Sequence, residues 1–459
     1  MPAKNSTYAE LFTKAKPWLQ PIVRATLGNL PRSTSRLTGA LAKDGGMPVR
    51  NTRYRPWASE NDGSFWGWHR GARERLRRVF LGGIEGLPQP LANEFAERWA
   101  AYCGCRYGLL LPHGTDALRI ALAALLDHDG LDYGGEIIVP NFSFIASATA
   151  PLDRRFGLAF VDVDPGTLLL DPARVEEAVV PGKTRAILPV HLFGQPADMT
   201  ALRAIAKKHG LTIVEDAAQA HGAAWESGPV GSLGDAAGFS FQSSKNLSCG
   251  EGGALTTNDE QLFERAYSMH NAGRSRVGGG RWEHVTLGWN IRPTEYQAAL
   301  LLHRFKRFER RQATRLKNFQ LLRRLMTDIT CLQPLTVHRG VRAHGMYMFA
   351  MRYKQDRCGG LALDRFVELV QAEGAPIHRA FAAAMSDQPA IKLLMQKRPE
   401  YFRRLPTPVS DQAAQDTVYI AQNIFLGTGE DMEDIVAGIR KVEAHFLPRG
   451  ARGQVRKAA

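Results

Sequence analysis

Between residues 115 and 241, short apolar runs alternate with stretches of helical periodicity. The spacing predicts a helix over 115–126, where Leu118, Ala121, Leu122 and Leu125 share a face and Thr115 is placed to cap the start. Strands are predicted over 136–139, ending at Pro140, over 158–161, ending at Asp162, and over 185–190. A helix follows over 198–209, stopped by Gly210, then strands over 212–214 and 236–241. Strands that alternate with helices predict an α/β fold: a mostly parallel sheet with helices on both faces. In such sheets functional side chains gather in the loops beyond the carboxyl ends of the strands. Asp216 falls at one such end, and so does the run Asn141-Phe142-Ser143-Phe144.

After about residue 300 the texture changes. A long basic helix is predicted over 295–325, a strand over 346–353, and helices over 364–372 and 431–446. This divides the chain into a large domain over 46–318 and a smaller C-terminal α/β domain over 319–446. Arg304, Lys306, Arg307, Arg310, Arg311, Arg315 and Lys317 recur at helical spacing and alternate with Phe305, Phe308 and Leu316, the pattern of a helix with one wet face. Residues 1–45 form a basic extension, with Lys4, Lys14, Lys16, Arg24, Arg32, Arg36 and Lys43 against Glu10 and Asp44. Its 11–27 stretch fits a short amphipathic helix, interrupted by Pro17, Pro21 and Pro31. Residues 447–459 form a basic tail.

The formal net charge of +14 favours anionic partners in principle. No nucleic-acid motif accompanies it, so the basic residues read as solvated surface. The five cysteines are odd in number and dispersed, which predicts free thiols in a reducing cytoplasm. No apolar stretch reaches the roughly 18 residues of a membrane span, and the first residues lack the charged-then-apolar order of a secretory signal.

The chemistry is carried by a lysine and a carboxylate. Lys245 lies in Phe239-Ser240-Phe241-Gln242-Ser243-Ser244-Lys245-Asn246-Leu247, ahead of the glycine-rich Cys249-Gly250-Glu251-Gly252-Gly253. Asp216 ends the apolar run Leu211-Thr212-Ile213-Val214-Glu215. A carboxylate at a strand end, a hydroxyl and a lysine are the parts that hold pyridoxal phosphate: the amine bonds its aldehyde and the carboxylate keeps its ring nitrogen protonated. Each residue taken singly has a plainer reading. Lys245 fits a surface lysine, Asp216 a turn cap, Gln219 a surface amide and Ser240 a strand serine. Phe144 fits a ring stacked on a flat ligand as well as a core aromatic. His113-Gly114-Thr115-Asp116 opens a helix, whose free N–H groups favour phosphate, yet every capped helix begins in this way. His221 fits a packed core histidine.

Five motifs in order resemble the DegT/DnrJ/EryC1/StrS aminotransferases, fold-type-I enzymes that depend on pyridoxal phosphate. They are Gly114-Thr115-Asp116-Ala117-Leu118, Glu215-Asp216-Ala217-Ala218-Gln219-Ala220-His221-Gly222, Ser240 with Lys245, Gly250-Glu251-Gly252-Gly253, and Gly288-Trp289-Asn290-Ile291-Arg292-Pro293. Gly45-Gly46-Met47-Pro48-Val49-Arg50 resembles the family's usual start. The resemblance implies that Lys245 is the cofactor-bonding lysine and proton carrier, that Asp216 pairs with the ring nitrogen, and that Gln219 meets the phenolic oxygen. It implies that Thr115, Asp116 (through its backbone) and Ser240 hold the phosphate, and that Phe144 stacks on the ring. Asn290 would reach the phosphate of the neighbouring subunit, which implies a homodimer with shared sites. Val190-His191-Leu192-Phe193-Gly194, and the segment from Tyr347-Met348-Phe349 through Gly359-Gly360-Leu361, look like the branch of cyclitol (inosose) aminotransferases and aminohydroxybenzoate synthases. Nucleotide-sugar aminotransferases are close relatives of that branch.

The expected activity is a ping-pong transfer of nitrogen from glutamate or glutamine to a ketone on a polyhydroxylated ring. One rival is sugar dehydration on the same fold, but family members of that kind carry histidine in place of the lysine. The other is a non-catalytic or scaffold protein that kept the fold, against which every checkable cofactor position is intact.

Overall fold

A computed structural model of the chain describes residues 40–44, 48–50, 74–81, 89–126, 131–278, 280 and 282–446. In chain order its strands are β1 (Tyr107–Leu111), β2 (Glu136–Pro140), β3 (Gly157–Val161), β4 (Thr184–Ile187), β5 (Thr212–Asp216), β6 (Ala224–Trp225), β7 (Gly228–Pro229), β8 (Ala236–Ser240), β9 (Gly253–Thr257), β10 (Leu332–Pro334), β11 (Val341–Ala343), β12 (Met348–Tyr353), β13 (Ile377–Arg379), β14 (Phe402–Arg404) and β15 (Thr417–Ala421). Eight of them make one sheet, in the order β1-β9-β8-β5-β4-β2-β3-β14. From β8 to β14 every neighbour pair is parallel, and β9 runs antiparallel to both β1 and β8. The expected mostly parallel α/β sheet is therefore present.

Both faces of this sheet are covered, which is why its strands read as continuous apolar runs. Ile138, Ala159, Ile187, Ile213 and Phe239 face one core together with Phe95 and Trp99 of α1 (Pro90–Tyr102). Ile137, Val139, Leu158, Phe160 and Val214 face the other, with α2 (Gly114–Leu125) and α3 (Ala146–Asp153). α4 (Met199–His209) begins at the Asp198 cap and ends at Gly210 in the left-handed conformation, φ 65°, as its sequence predicts. α5 (Glu260–His270) lies on the α2 side.

Several boundaries differ from expectation, each for a local reason. α2 starts one residue early, at Gly114, and its cap is His113 rather than Thr115. Strand β4 stops at Ile187, because Pro189 has no N–H to continue a ladder. Strand β12 starts at Met348, because Met346 has φ 53° and breaks the extended run. The long basic helix is two helices, α6 (Glu295–Phe305) and α7 (Phe308–Leu325). Phe305 and Phe308 flank the break, and both pack against the rings of Trp99 and Tyr102. Arg315, expected on the wet face, is instead 0% exposed.

A second, antiparallel sheet has the order β10-β12-β15-β13. It packs with α8 (Leu363–Ala372), α9 (Gly429–Phe446) and part of α7 around a third core containing Phe349, Phe366 and Ile435. The two units are stitched together. β14 leaves the C-terminal unit to pair with β3, and β11 pairs with β6. Asn141, in the loop after β2, is part of this seam: its amide donates to Ser386 Oγ (3.0 Å) and Thr407 Oγ1 (2.9 Å).

Residues 40–44, expected within the appendage, pack on the C-terminal unit. Leu41 is buried and Ala42 N–H donates to Glu373 Oε1 (2.8 Å). Glu373 also takes a buried bond from Lys441 Nζ (2.9 Å), and Arg50 donates to Asp431 (2.6 Å) and Asp434 (3.1 Å). Pairs this buried fix the geometry of the segment more than they add net stability. Residues 1–39, the Gly45-Gly46-Met47 run and the 447–459 tail lie outside the described residues.

Candidate active site

The carboxyl ends of β5 and β8 lie side by side, with Asp216 opposite Gly238 in the parallel register. Asp216 is 5% exposed. Ser147 Oγ donates to its Oδ2 (2.7 Å) and the Ala218 N–H to its Oδ1 (3.2 Å). Ser147 is itself bonded to Ser143 (3.1 Å), so the loop after β2 and the start of α3 close over the carboxylate. Burial pushes the Asp216 carboxyl above its ordinary range, while those two bonds and the charge of nearby Lys245 oppose the shift. A desolvated carboxylate of this kind gains most from a cation placed against it.

Glu215, one residue earlier, is structural. It accepts from the backbone N–H groups of Gly231 (3.0 Å), Leu233 (2.8 Å) and Gly234 (2.8 Å). Its Oε2 also meets His191 Nε2 at 2.9 Å. The Ala197 N–H donates to His191 Nδ1 (3.0 Å), so Nε2 carries the proton given to Glu215. These bonds pin the end of β5 and thereby the direction of Asp216.

Gln219, 6% exposed, accepts the Phe193 N–H on Oε1 (2.9 Å). That bond orients the amide and leaves its NH2 group as the donor for a ligand. Phe193 achieves it at φ 59°, a left-handed conformation that costs a bulky residue of order 1 kcal/mol or more.

Lys245 sits in the loop between β8 and β9, half-buried, and its charge acts on Asp216. Its Nζ lies 3.4 Å from Tyr347 Oη and 4.5 Å from the centroid of that ring. The backbone that delivers Tyr347 is clamped. Gly345 N–H donates to Gly194 O (2.7 Å), and Gly345 O accepts from Asn246 (2.6 Å) and Gln312 (3.1 Å). A Cβ on Gly194 would lie 2.9 Å from the Tyr347 nitrogen, so only glycine permits this approach. The buried Arg315 donates to Gln312 (2.8 Å) and Gln422 (2.8 Å), and Gln422 donates to Ser244 O (3.3 Å). Arg315 thus supports the lysine loop from behind.

The start of α2 is held against β8 and β9 by two glycines. A Cβ on Gly253 would overlap the His113 carbonyl and lie 2.6 Å from Gly114 N; one on Gly114 would lie 2.8 Å from Ser240 Cβ. The first free N–H groups of α2 and the exposed Thr115 therefore stand beside Ser240, a cup that suits a phosphate. The Asp116 carboxylate is turned away to Arg119 (2.7 Å), so at this cup only its backbone is available. The Phe144 ring is 57% exposed, uncovered in the loop beyond β2.

Asn290 stands apart. It is exposed, is bridged to Asn271, and has no hydrogen bond to Lys245, Asp216 or Thr115 among the described residues. His221 is a core histidine. It is 0% exposed among the rings of Trp99, Phe239 and Phe241, and neither ring nitrogen finds a partner. Burial, and then the charge of Lys245, push its pKa down to about 3; the Ser240 backbone opposes the shift without reaching bonding geometry.

Sequence reading named the lysine, carboxylate and amide but missed the supports. Ser147 was findable, because it lies four positions after Ser143, where the next helix begins. Tyr347 was noted only within a segment that resembles one branch of the family; its contact with Lys245, 102 positions away, left no signal in the sequence. The set as a whole is an amine, a buried anion, an oriented amide donor, a phosphate cup and an uncovered ring. It fits pyridoxal phosphate.

Residues 74–440 match the sequence profile of the DegT/DnrJ/EryC1/StrS aminotransferase family. A Streptoalloteichus tenebrarius protein, provisionally named L-glutamine:3-amino-2,3-dideoxy-scyllo-inosose aminotransferase, is 36% identical over 426 residues, covering 88% of this chain and 98% of its own. From the same organism, L-glutamine:2-deoxy-scyllo-inosose aminotransferase is 34% identical over 428 residues, with the same coverage of 88% and 98%. The crystal structure of 3-amino-5-hydroxybenzoic acid synthase superposes with a TM-score of 0.72 at 30% identity, covering 82% of this chain and 96% of that one.

Proposed function

This chain belongs to the DegT/DnrJ/EryC1/StrS aminotransferase family, and on that premise we propose that it moves the amino group of L-glutamine to a ring ketone of a cyclitol. The observation that carries the reading is the Lys245 amine, near enough for its charge to act on the buried Asp216 carboxylate. Pyridoxal phosphate, when bound, supplies an electron sink and a carrier for the nitrogen. Lys245 Nζ would bond its aldehyde and, as a free amine, would carry the proton lost from the donor's α-carbon. Asp216 would pair with the ring nitrogen, and the oriented amide of Gln219 would donate to the phenolic oxygen. Thr115, the Asp116 backbone and Ser240 would hold the phosphate, and Phe144 would stack on the ring. The inosose substrates of the relatives favour a keto-cyclitol over a keto-sugar nucleotide, and their names favour glutamine as donor.

Asn290 completes the phosphate cup of a second copy, which makes the working unit a homodimer. Support comes from its surroundings: Val277 (68%), Trp282 (73%), Val285 (57%) and Leu287 (68%) are exposed on the segment before it, apolar side chains suited to burial against a partner. The five cysteines are all buried free thiols, which suits work in a reducing cytoplasm. No helix among the described residues is long and apolar enough to cross a membrane.

The test is to load the protein with pyridoxamine phosphate and offer keto-cyclitols and keto-sugar nucleotides in turn. Return of the aldehyde form's absorbance with a keto-cyclitol is the expected result. Response only to sugar nucleotides would move the substrate class, and response to neither would remove the proposed acceptor.

A further inference from the structure

The hydrogen bonds around Tyr347 run in one direction only, and their far end sets it. The Ser244 N–H, which can only donate, meets Gln242 Oε1 at 2.8 Å, so that atom is the amide oxygen. The amide nitrogen correspondingly meets Ser243 Oγ at 2.8 Å. Ser244 Oγ lies 2.7 Å from the same Oε1, so its single proton is committed there. Toward Tyr347 Oη, 2.9 Å away, Ser244 must accept. The Tyr347 proton is thereby used as well. Toward Lys245 Nζ, at a loose 3.4 Å, the phenol can only accept.

This polarity matters to an amine. A nitrogen that accepts a hydrogen bond gives up its lone pair to it, whereas one that donates keeps the pair free. The free pair is what attacks an aldehyde and takes a proton from carbon. We propose that Tyr347 is a positioning residue for the reacting amine: an obligate acceptor that holds one Nζ–H and leaves the lone pair of Lys245 directed elsewhere. The ring face, 4.5 Å from Nζ, attracts the same group whenever it is protonated. Because Gly345 is tied to Gly194 and Asn246, the position of the amine depends on a segment of the C-terminal unit that shares no strand with the lysine loop. The inference rests on the assignment of Lys245 above.

The experiment uses cofactor-free protein and follows covalent capture of pyridoxal phosphate by stopped-flow absorbance, with borohydride trapping as the endpoint. Tyr347→Phe keeps the ring and removes the acceptor; its capture rate constant is expected to fall about five-fold, the worth of one hydrogen bond. Affinity for pyridoxine phosphate, which has no aldehyde, stays at the parent value. Ser244→Ala frees the phenol proton to occupy the lone pair and slows capture by about the same factor. In the Tyr347→Phe background Ser244→Ala changes nothing. A Tyr347→Phe protein that captures as fast as the parent overturns the proposal, and so does a Ser244→Ala effect that survives loss of the phenol. If Tyr347→Phe fails to fold by circular dichroism, Ser244→Ala alone decides: slowed capture supports the proposal and unchanged capture overturns it. A parent protein that captures no aldehyde is a separate failure, which removes the assignment of Lys245 and this inference with it.

Discussion

Protonation of His221 should be a main step in acid unfolding. Its pKa falls from 6.5 in the open chain to about 3 in the fold. A depressed value means that the stability is complete above 6.5 and drains as pH falls toward 3, because only the unfolded chain binds the proton. The slope is about 1.4 kcal/mol per pH unit, so by pH 5.0 this one ring has cost the fold about 2 kcal/mol. His270, which is buried, and His344, which is half-buried, are each pushed down to about 4, mainly by desolvation, and share the slope. The three together remove about 6 kcal/mol by pH 5.0, a large part of the roughly 5–15 kcal/mol of a typical domain. His221→Leu tests the account cleanly. The ring nitrogens have no partners to orphan and the side chains are close in volume, so at pH 7.5 the change should stay within about 1.5 kcal/mol. Urea unfolding by circular dichroism at pH 7.5 and 5.0 gives the comparison. The variant should lose about 2 kcal/mol less than the parent between the two. Equal losses would show that His221 is hydrated or paired in solution and that the reasoning is wrong.

Three further outcomes are expected. Gly253→Ala should drive β9 off the start of α2 and weaken retention of pyridoxal phosphate and of inorganic phosphate together by about ten-fold; equal affinities would mean that this weld does not shape the cup. Asp216→Asn should raise the melting temperature of cofactor-free protein at pH 7.5, because a raised carboxyl pKa makes the ionised form the costly one. The gain should shrink as pH falls toward the ordinary carboxylate range, and a pH-independent difference would contradict it. Lys245→Ala should abolish the borohydride-trappable adduct, and co-expression with Asn290→Ala should yield mixed dimers with about one intact site in two. Mixed dimers that show no recovery would place each site within a single chain.

The sequence carried the sheet because its strands are buried on both faces: runs such as Ile137-Ile138-Val139 are apolar without alternation, and Gly210 and Asp198 mark the ends of α4 by local chemistry alone. It marked Asp216, Gln219 and Lys245 as candidates because each lies in a short segment whose neighbours are themselves informative. Tertiary structure decided the rest. The periodicity of the 295–325 stretch could not reveal that Phe305 and Phe308 would both seek Trp99, or that Arg315 would turn inward to Gln312 and Gln422. A guanidinium on a helix looks the same in sequence whether water or a buried amide satisfies it. Tyr347 reached the lysine for the same kind of reason. Its contact is made across two sheets, by backbone clamps at Gly194 and Gly345 that depend on the missing Cβ atoms and leave no periodic trace in the chain.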